Sequence, residues 1–283
     1  MTNSLIESRD RFATAYPETR MVLNGRDWGL RDVGQGPVLI LIPGTLGRGD
    51  VFWNQIVALA DRLRIVAVSY PSSGGVAEWA EDIALMMDKL GIETASVLGS
   101  SLGGYLAQYF AATSPDRTTR LIAANTLHSV VGLDQRMPYA LDLQNAPIED
   151  LRAGFGAGLG AWAEAHPDQV ELVELLLQEA GGRILESELR ARLSALKTGP
   201  ELPAMSLPAT DIVTIQADDD PLIPPEMRAA VRARLSPSVA YRFLDGGHFP
   251  YVARPADYTA LLEQVMGLKV SGPDWGTGEE RVL

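Results

Sequence analysis

The hexapeptide Gly99-Ser100-Ser101-Leu102-Gly103-Gly104 joins an apolar run, Ala95 to Leu98, to a helical pattern that opens at Leu102. It reads G-x-S-x-G with Ser101 at its centre. A chain turning that sharply from strand into helix leaves no room for a Cβ at either flank, which accounts for Gly99 and Gly103 as a nucleophile elbow. The Ser101 hydroxyl then projects from the turn, beside the free N–H groups of a helix N-terminus, where negative charge is favoured. Ser100 points elsewhere. A plain Gly/Ser turn before a helix has the same composition, so the motif needs partners before it means nucleophilic catalysis.

Three other loops supply candidates. Gly246-Gly247-His248-Phe249-Pro250 follows the apolar run Val239 to Phe243. The two glycines allow a tight turn that aims the imidazole back over the sheet, and His248 is taken as the general base. Of the other histidines, His128 is placed at the rim of the site and His166, before Pro167, at a surface helix boundary. Asp218-Asp219-Asp220-Pro221 follows the run Ile212 to Ile215. Asp220, four residues before Pro224, is the preferred acid to orient the base; Asp218 and Asp219 are the alternatives, and the two not used are read as solvated turn residues. Asn125 follows the run Leu121 to Ala124 but is an amide and cannot be the acid. Pro43-Gly44-Thr45-Leu46-Gly47 follows Val38 to Ile42. Its Thr45 N–H, with the N–H of Leu102 after the nucleophile, is the expected oxyanion hole, each donor being worth about 3 kcal/mol of transition-state stabilisation. Ser, Asp and His in that chain order, each in a loop after a strand-like run, point to acyl transfer through a covalent intermediate.

The elements needed to hold these loops can be read from periodicity. Val38–Ile42, Ile65–Val68, Ala95–Leu98, Leu121–Ala124, Ile212–Ile215 and Val239–Phe243 are continuous apolar runs, the mark of strands buried on both faces. Met21–Leu23 and Trp28–Asp32 flank an Asn24-Gly25 hairpin signal. Helical stripes cover Val76–Leu90, Leu102–Thr113, Pro225–Leu235 and Pro255–Met266. Strands alternating with helices predict an α/β fold, a mostly parallel central sheet with helices on both faces.

From Leu133 to Pro203 no strand is predicted. Asp168–Ala180 and Ile184–Leu196 read as helices, while Gly154, Gly156, Gly158 and Gly160 weaken a third over Ile148–Ala165. The expected organisation is an N-terminal arm at 1–20, a core at 21–132 and 204–268, a helical cap insertion at 133–203, and a loosely held tail at 269–283. Met137, Phe155 and Trp162 in the insertion either line an apolar pocket or pack the cap onto the core.

From about residue 20 to 268 the sequence resembles the α/β-hydrolase fold family. More narrowly, Ser101-Leu-Gly-Gly-Tyr-Leu-Ala-Gln108, Gly246-Gly-His-Phe-Pro-Tyr251 and the Pro-Gly-Thr of 43–45 resemble the maspardin-type branch. The resemblance implies the α/β-hydrolase fold with its cap, and an acid in the loop that holds Asp220. It also brings a second reading, because the eukaryotic members of that branch are regarded mainly as interaction proteins without histidine at the base position. This sequence departs from them in keeping His248, which favours catalysis.

Composition narrows the rest. The chain has 283 residues, 46% apolar and 21% charged, with a net charge of −12 and no cysteine. That balance argues against nucleic acid as a partner, and the missing cysteines remove disulfides, thiolate metal sites and a Cys nucleophile. No apolar run is long enough for membrane insertion and no signal peptide is visible, so a cytoplasmic protein is expected. The expected partner is a small ester-like molecule, with no cofactor or metal; a homodimer stays open. A serine nucleophile argues against the haloalkane dehalogenases and epoxide hydrolases of this fold, which use Asp. Carboxylic ester hydrolysis is the leading reaction, with lactone, thioester and carbon–carbon bond hydrolysis behind it, and a non-catalytic interaction module as the reading from a different class.

Overall fold

A computed structural model describes residues 3–283. The elements in chain order are α1 (Ser4–Ala15), β1 (Thr19–Leu23), β2 (Arg26–Gly34), β3 (Val38–Ile42), α2 (Trp53–Leu59), β4 (Arg64–Ser69), α3 (Val76–Lys89), β5 (Ala95–Ser100), α4 (Leu102–Thr113) and β6 (Thr118–Ala124). After α5 (Ile148–Ala165), α6 (Val170–Gln178) and α7 (Glu186–Lys197) come β7 (Ile212–Ala217), α8 (Pro225–Leu235), β8 (Val239–Phe243), α9 (Pro250–Ala253), α10 (Pro255–Val265) and β9 (Glu280–Val282).

The strands form one sheet in the order β1-β2-β4-β3-β5-β6-β7-β8-β9. Only β1, β2 and β4 meet antiparallel; every pair from β4 to β9 is parallel. Asn24 and Gly25 turn β1 into β2 with φ of 46° and 80°, the double positive φ of a type I′ hairpin. Successive side chains of the central strands leave on opposite faces. Leu39 and Leu41 enter an apolar cluster with α2 and α10, while Ile40 and Ile42 enter one with α3 and α4. Burial on both faces is why these strands read as unbroken apolar runs. Ile42 is level with Gly99, Ser100 with Ala124, and Ala217 with Phe243. The chain therefore leaves the sheet along one edge at 43, 101, 125, 218 and 244, the carboxyl ends where ligands bind in open α/β sheets.

Three segments differ from the sequence reading. The arm at its described residues is mostly a helix, α1, with Asn3 Oδ1 accepting the Ile6 N–H at 3.0 Å as its cap. It lies against α6, where Asn3 Nδ2 donates to the Glu171 carbonyl at 2.8 Å, and the buried Arg9 reaches Glu179 at 2.6 Å. The polar sequence hid this because much of its anchorage is ionic and comes from residues far along the chain. Residues 1 and 2 lie outside the described residues. The tail is not loosely held either: β9 pairs in parallel with β8, and Trp275, 4% exposed, packs edge-on against Tyr241 and Phe243. Finally, α5 forms in spite of its glycines. Phe155, Leu159 and Trp162 fall on one face at helical spacing and meet a common cavity, which supplies the packing that propensity lacks.

Candidate active site

Ser101 sits at φ 55°, ψ −119°, between β5 and α4. For a non-glycine residue this is a strained conformation, held only where the surroundings enforce it. Three hydrogen bonds do so: Ser101 N–H to the Ala124 carbonyl at 3.0 Å, Tyr105 N–H to the Ser101 carbonyl at 3.0 Å, and Thr126 Oγ1 to that same carbonyl at 2.7 Å. The flanking glycines are steric necessities. A Cβ on Gly99 would overlap the Gly103 carbonyl, and one on Gly103 the Ile42 carbonyl. Gly104 adds a third tight contact, where a Cβ would fall 2.5 Å from Thr126 Cβ.

His248 and Asp220 face each other across buried space. The imidazole Nδ1 lies 3.0 Å from Asp220 Oδ1 and 2.9 Å from Oδ2, with side-chain exposures of 5% and 0%. Asp220 Oδ1 also accepts the Leu222 and Ile223 N–H groups at 2.9 and 3.1 Å. Oδ2 accepts the Asn125 amide at 2.9 Å. Burial pushes the Asp220 carboxyl up, but the adjacent His248, the Asn125 amide and the Leu222 N–H pull it further down, so it is held below the usual carboxylate value.

The neighbouring aspartates are not idle turn residues. Asp219 accepts the N–H groups of Gly246 and Gly247 at 3.0 and 2.9 Å, fixing the loop that carries His248. Asp218 pairs with Arg242 at 2.9 Å, pinning the end of β7 to β8. Reading both as solvated was the natural inference from an Asp run, because their acceptor roles depend on donors in another loop. Asn125 likewise acts through its amide, as a donor to Asp220.

Ser101, His248 and the Gly44–Thr45–Leu46 loop line a cavity of about 500 Å³. A Cβ on Gly44 would lie 3.0 Å from Ser101 Cβ, so this loop runs directly over the serine. Leu102 opens α4, where the first N–H groups have no partner within the helix. The Ser101 Oγ to His248 Nε2 link is not among the hydrogen bonds of the described residues; such links commonly tighten only in the reacting complex.

The remaining walls are mainly apolar and come largely from the segment between β6 and β7: Met137, Phe155, Leu159, Trp162, Leu172 and Leu176. Trp162 also covers the loop that carries His248, since a Cβ on Gly247 would fall 2.7 Å from its ring. Tyr139, which no sequence signal marked, lines the cavity too, and burial pushes its phenol up to about 12, so it stays a neutral hydroxyl. His128 is half-buried but does not line this cavity; His166 ends α5 and stacks on Trp162 with ring centroids 3.6 Å apart. Among the described residues, no helix is long and apolar enough to cross a membrane.

Known proteins agree with this architecture. The family model for the alpha/beta hydrolase fold matches residues 37–255. The chain is 26% identical to maspardin of Mus musculus over 291 residues, covering 96% of this chain and 90% of that protein. Among solved structures, the enol-lactonase from Burkholderia xenovorans LB400 superposes with a TM-score of 0.74 at 17% identity, over 88% of this chain and 100% of that one. A thermophilic esterase from Thermogutta terrifontis gives 0.73 at 20% identity, over 88% and 98%. The likeness to maspardin places the sequence near that branch, and the chain belongs to the α/β-hydrolase fold family.

Proposed function

We propose that the protein is a serine hydrolase acting on a carboxylic ester or a close relative, a lactone or thioester, with Ser101 as nucleophile, His248 as base and Asp220 as the acid that orients it. The observation that carries this reading is the buried Asp220–His248 pair, at 2.9 Å, opening into the same cavity as a serine held at φ 55°. His248 takes the Ser101 proton as the hydroxyl attacks the substrate carbonyl, and Asp220 fixes the tautomer and balances the imidazolium. The N–H groups of Thr45 and Leu102 receive the oxyanion. His248 then passes the proton to the departing alcohol or thiol, and water, deprotonated by the same imidazole, releases the acid from Ser101.

The apolar walls favour an uncharged acyl or aryl group over a sugar or a peptide backbone, since each buried polar group of such a ligand would need a partner that these side chains lack. An interaction module is the second reading, favoured by the likeness to maspardin. Carbon–carbon bond hydrolysis uses the same triad. Hydrolysis of p-nitrophenyl acetate, butyrate and octanoate by wild type and Ser101→Ala decides the first point. Turnover that vanishes in Ser101→Ala supports the hydrolase, and the preferred chain length reports the reach of the cavity. Folded wild type no faster than Ser101→Ala on every ester would overturn the esterase reading in favour of the interaction module or the carbon–carbon hydrolase.

A further inference from the structure

We propose that Arg192 is a positioning residue for the oxyanion hole, acting from α7 to hold the peptide that carries the Thr45 N–H. The inference rests on the hydrolase reading above and deepens it.

Arg192 is fully buried, with 0% exposure, yet it does not line the cavity. Its Nη1 donates to the carbonyls of Thr45 at 2.9 Å and Gly47 at 2.8 Å. A second clamp comes from the core: Tyr70, at the end of β4, donates its hydroxyl to the Pro43 carbonyl at 2.7 Å. The two clamps are themselves in contact, the guanidinium lying 5.2 Å over the Tyr70 ring. The Pro43 carbonyl belongs to the peptide before Gly44, and the Thr45 carbonyl to the peptide after Thr45. Between them lies the Gly44–Thr45 peptide, which bears the donor. Glycine allows that peptide to pass close to Ser101 but does nothing to fix its orientation; the Gly47 N–H, which its Gly44 carbonyl accepts at 3.1 Å, and the two clamped neighbours do.

A buried charge is an expensive way to attach a helix to a loop, because an apolar side chain of similar volume usually serves as well or better. Burial pulls the guanidinium down to about 10 while Glu188 pulls it up, so it remains charged at neutral pH. What a cation adds over an apolar contact is a fixed direction for two carbonyls, and with them the N–H between.

The test compares p-nitrophenyl butyrate with its thionoester analogue, in which sulfur replaces the carbonyl oxygen and accepts hydrogen bonds poorly. Loss of oxyanion alignment lowers the oxygen ester rate far more than the thionoester rate. For Arg192→Met, kcat on the ester is expected to fall about tenfold, short of the hundredfold or more for a donor removed outright, with KM nearly unchanged and the ester-to-thionoester ratio falling in parallel. Both bonds leave one nitrogen, so Arg192→Lys, which keeps the charge and several N–H donors but on a freely rotating head in place of a rigid plane, should recover part of the ratio. Tyr70→Phe loosens the other clamp and should shift the ratio the same way by less; with Arg192→Lys it decides the matter if Arg192→Met does not fold. An unchanged ratio in the folded variants, alongside Ser101-dependent turnover in wild type, overturns the positioning role and leaves Arg192 a structural anchor. Absence of Ser101-dependent ester turnover in wild type overturns the ester-hydrolase reading itself, and this inference with it.

Discussion

Asn125 donates its side-chain amide to Asp220 Oδ2 at 2.9 Å and also reaches the Gly247 carbonyl at 3.3 Å, so one buried amide bridges Asp220 and the loop that carries His248. It does so from a strained backbone of its own, φ 42°, tied by its N–H to the Ile215 carbonyl at 2.8 Å. Asn125→Ala should leave the fold intact and lower kcat by about tenfold, the size expected from losing a hydrogen bond to a charged partner. Steady-state kinetics on a p-nitrophenyl ester checks this; kcat within a factor of two of wild type would mean the amide plays no part in aligning the acid.

The pH dependence follows from the same pair. The folded Asp220 carboxyl lies below its ordinary value of 3.8, in spite of burial. Its contribution to stability is therefore complete above the ordinary carboxylate range and is lost as pH falls through the folded value. Across weakly acidic to alkaline pH the carboxylate stays ionised, so Asp220 should add no ionisation of its own to the pH–rate profile there. A plot of log kcat/KM against pH should therefore show no limb steeper than a slope of one. A slope of two would show a second group, such as Asp220, titrating in the same range.

The three adjacent aspartates should separate by orders of magnitude. Asp220→Asn disturbs the tautomer of the base and should cost on the order of 10⁴ in kcat. Asp219→Ala frees the Gly246 and Gly247 N–H groups and lets the base loop shift, a displacement that typically costs about tenfold to a hundredfold. Asp218→Ala should stay within about twofold, because its half-exposed pair with Arg242 is worth at most about 1 kcal/mol. Parallel kinetics of the three variants tests the ranking, and equal losses at 218 and 219 would refute the division of labour.

How far the sequence reveals the molecule depends on the range of the interaction involved. Gly99, Ser101 and Gly103 leave a local trace because a backbone overlap can be avoided only by glycine, and strands buried on both faces leave one as apolar runs. His248 could be picked out because the preceding Gly246 and Gly247, with φ of 137° and 60°, serve a turn encoded on the spot. Asp219, Asn125, Arg192 and Tyr139 left no such trace. The first three work through a partner in a distant segment: Arg192 and the Thr45 carbonyl are 147 residues apart, and Asn125 and Asp220 are 95 apart. The same holds for α1, whose Arg9 meets Glu179 from 170 residues away, and for the tail, where one apolar side chain, Trp275, outweighs its polar neighbours.

That tail makes its own prediction. The Trp275 ring packs on Tyr241 and Phe243, and its Nε1 donates to the Asp257 carbonyl at 2.9 Å. Trp275→Ala should destabilise the protein by about 3–5 kcal/mol, the usual cost of emptying a large aromatic site. Chemical denaturation measures it, and a loss under 1 kcal/mol would mean that β9 and the tail contribute little to the fold.

The glycines of α5 separate packing from mobility. A Cβ on Gly154 would lie 3.0 Å from Pro138 Cβ, so that position has a steric reason; Gly156 and Gly160 face open space. Helix propensity alone then favours alanine at both, by about 0.8–1 kcal/mol each. Gly156→Ala with Gly160→Ala should raise the melting temperature by a few degrees, and a fall would show a packing demand that the open space hides. Activity gives the second readout. This helix carries Phe155, Leu159 and Trp162 into the cavity, and Trp162 lies over Gly247 beside the base. If substrate enters by displacement of α5, the stiffer helix should lower kcat/KM for bulky esters more than for acetate. Equal rates with a higher melting temperature would make α5 a fixed wall of the cavity.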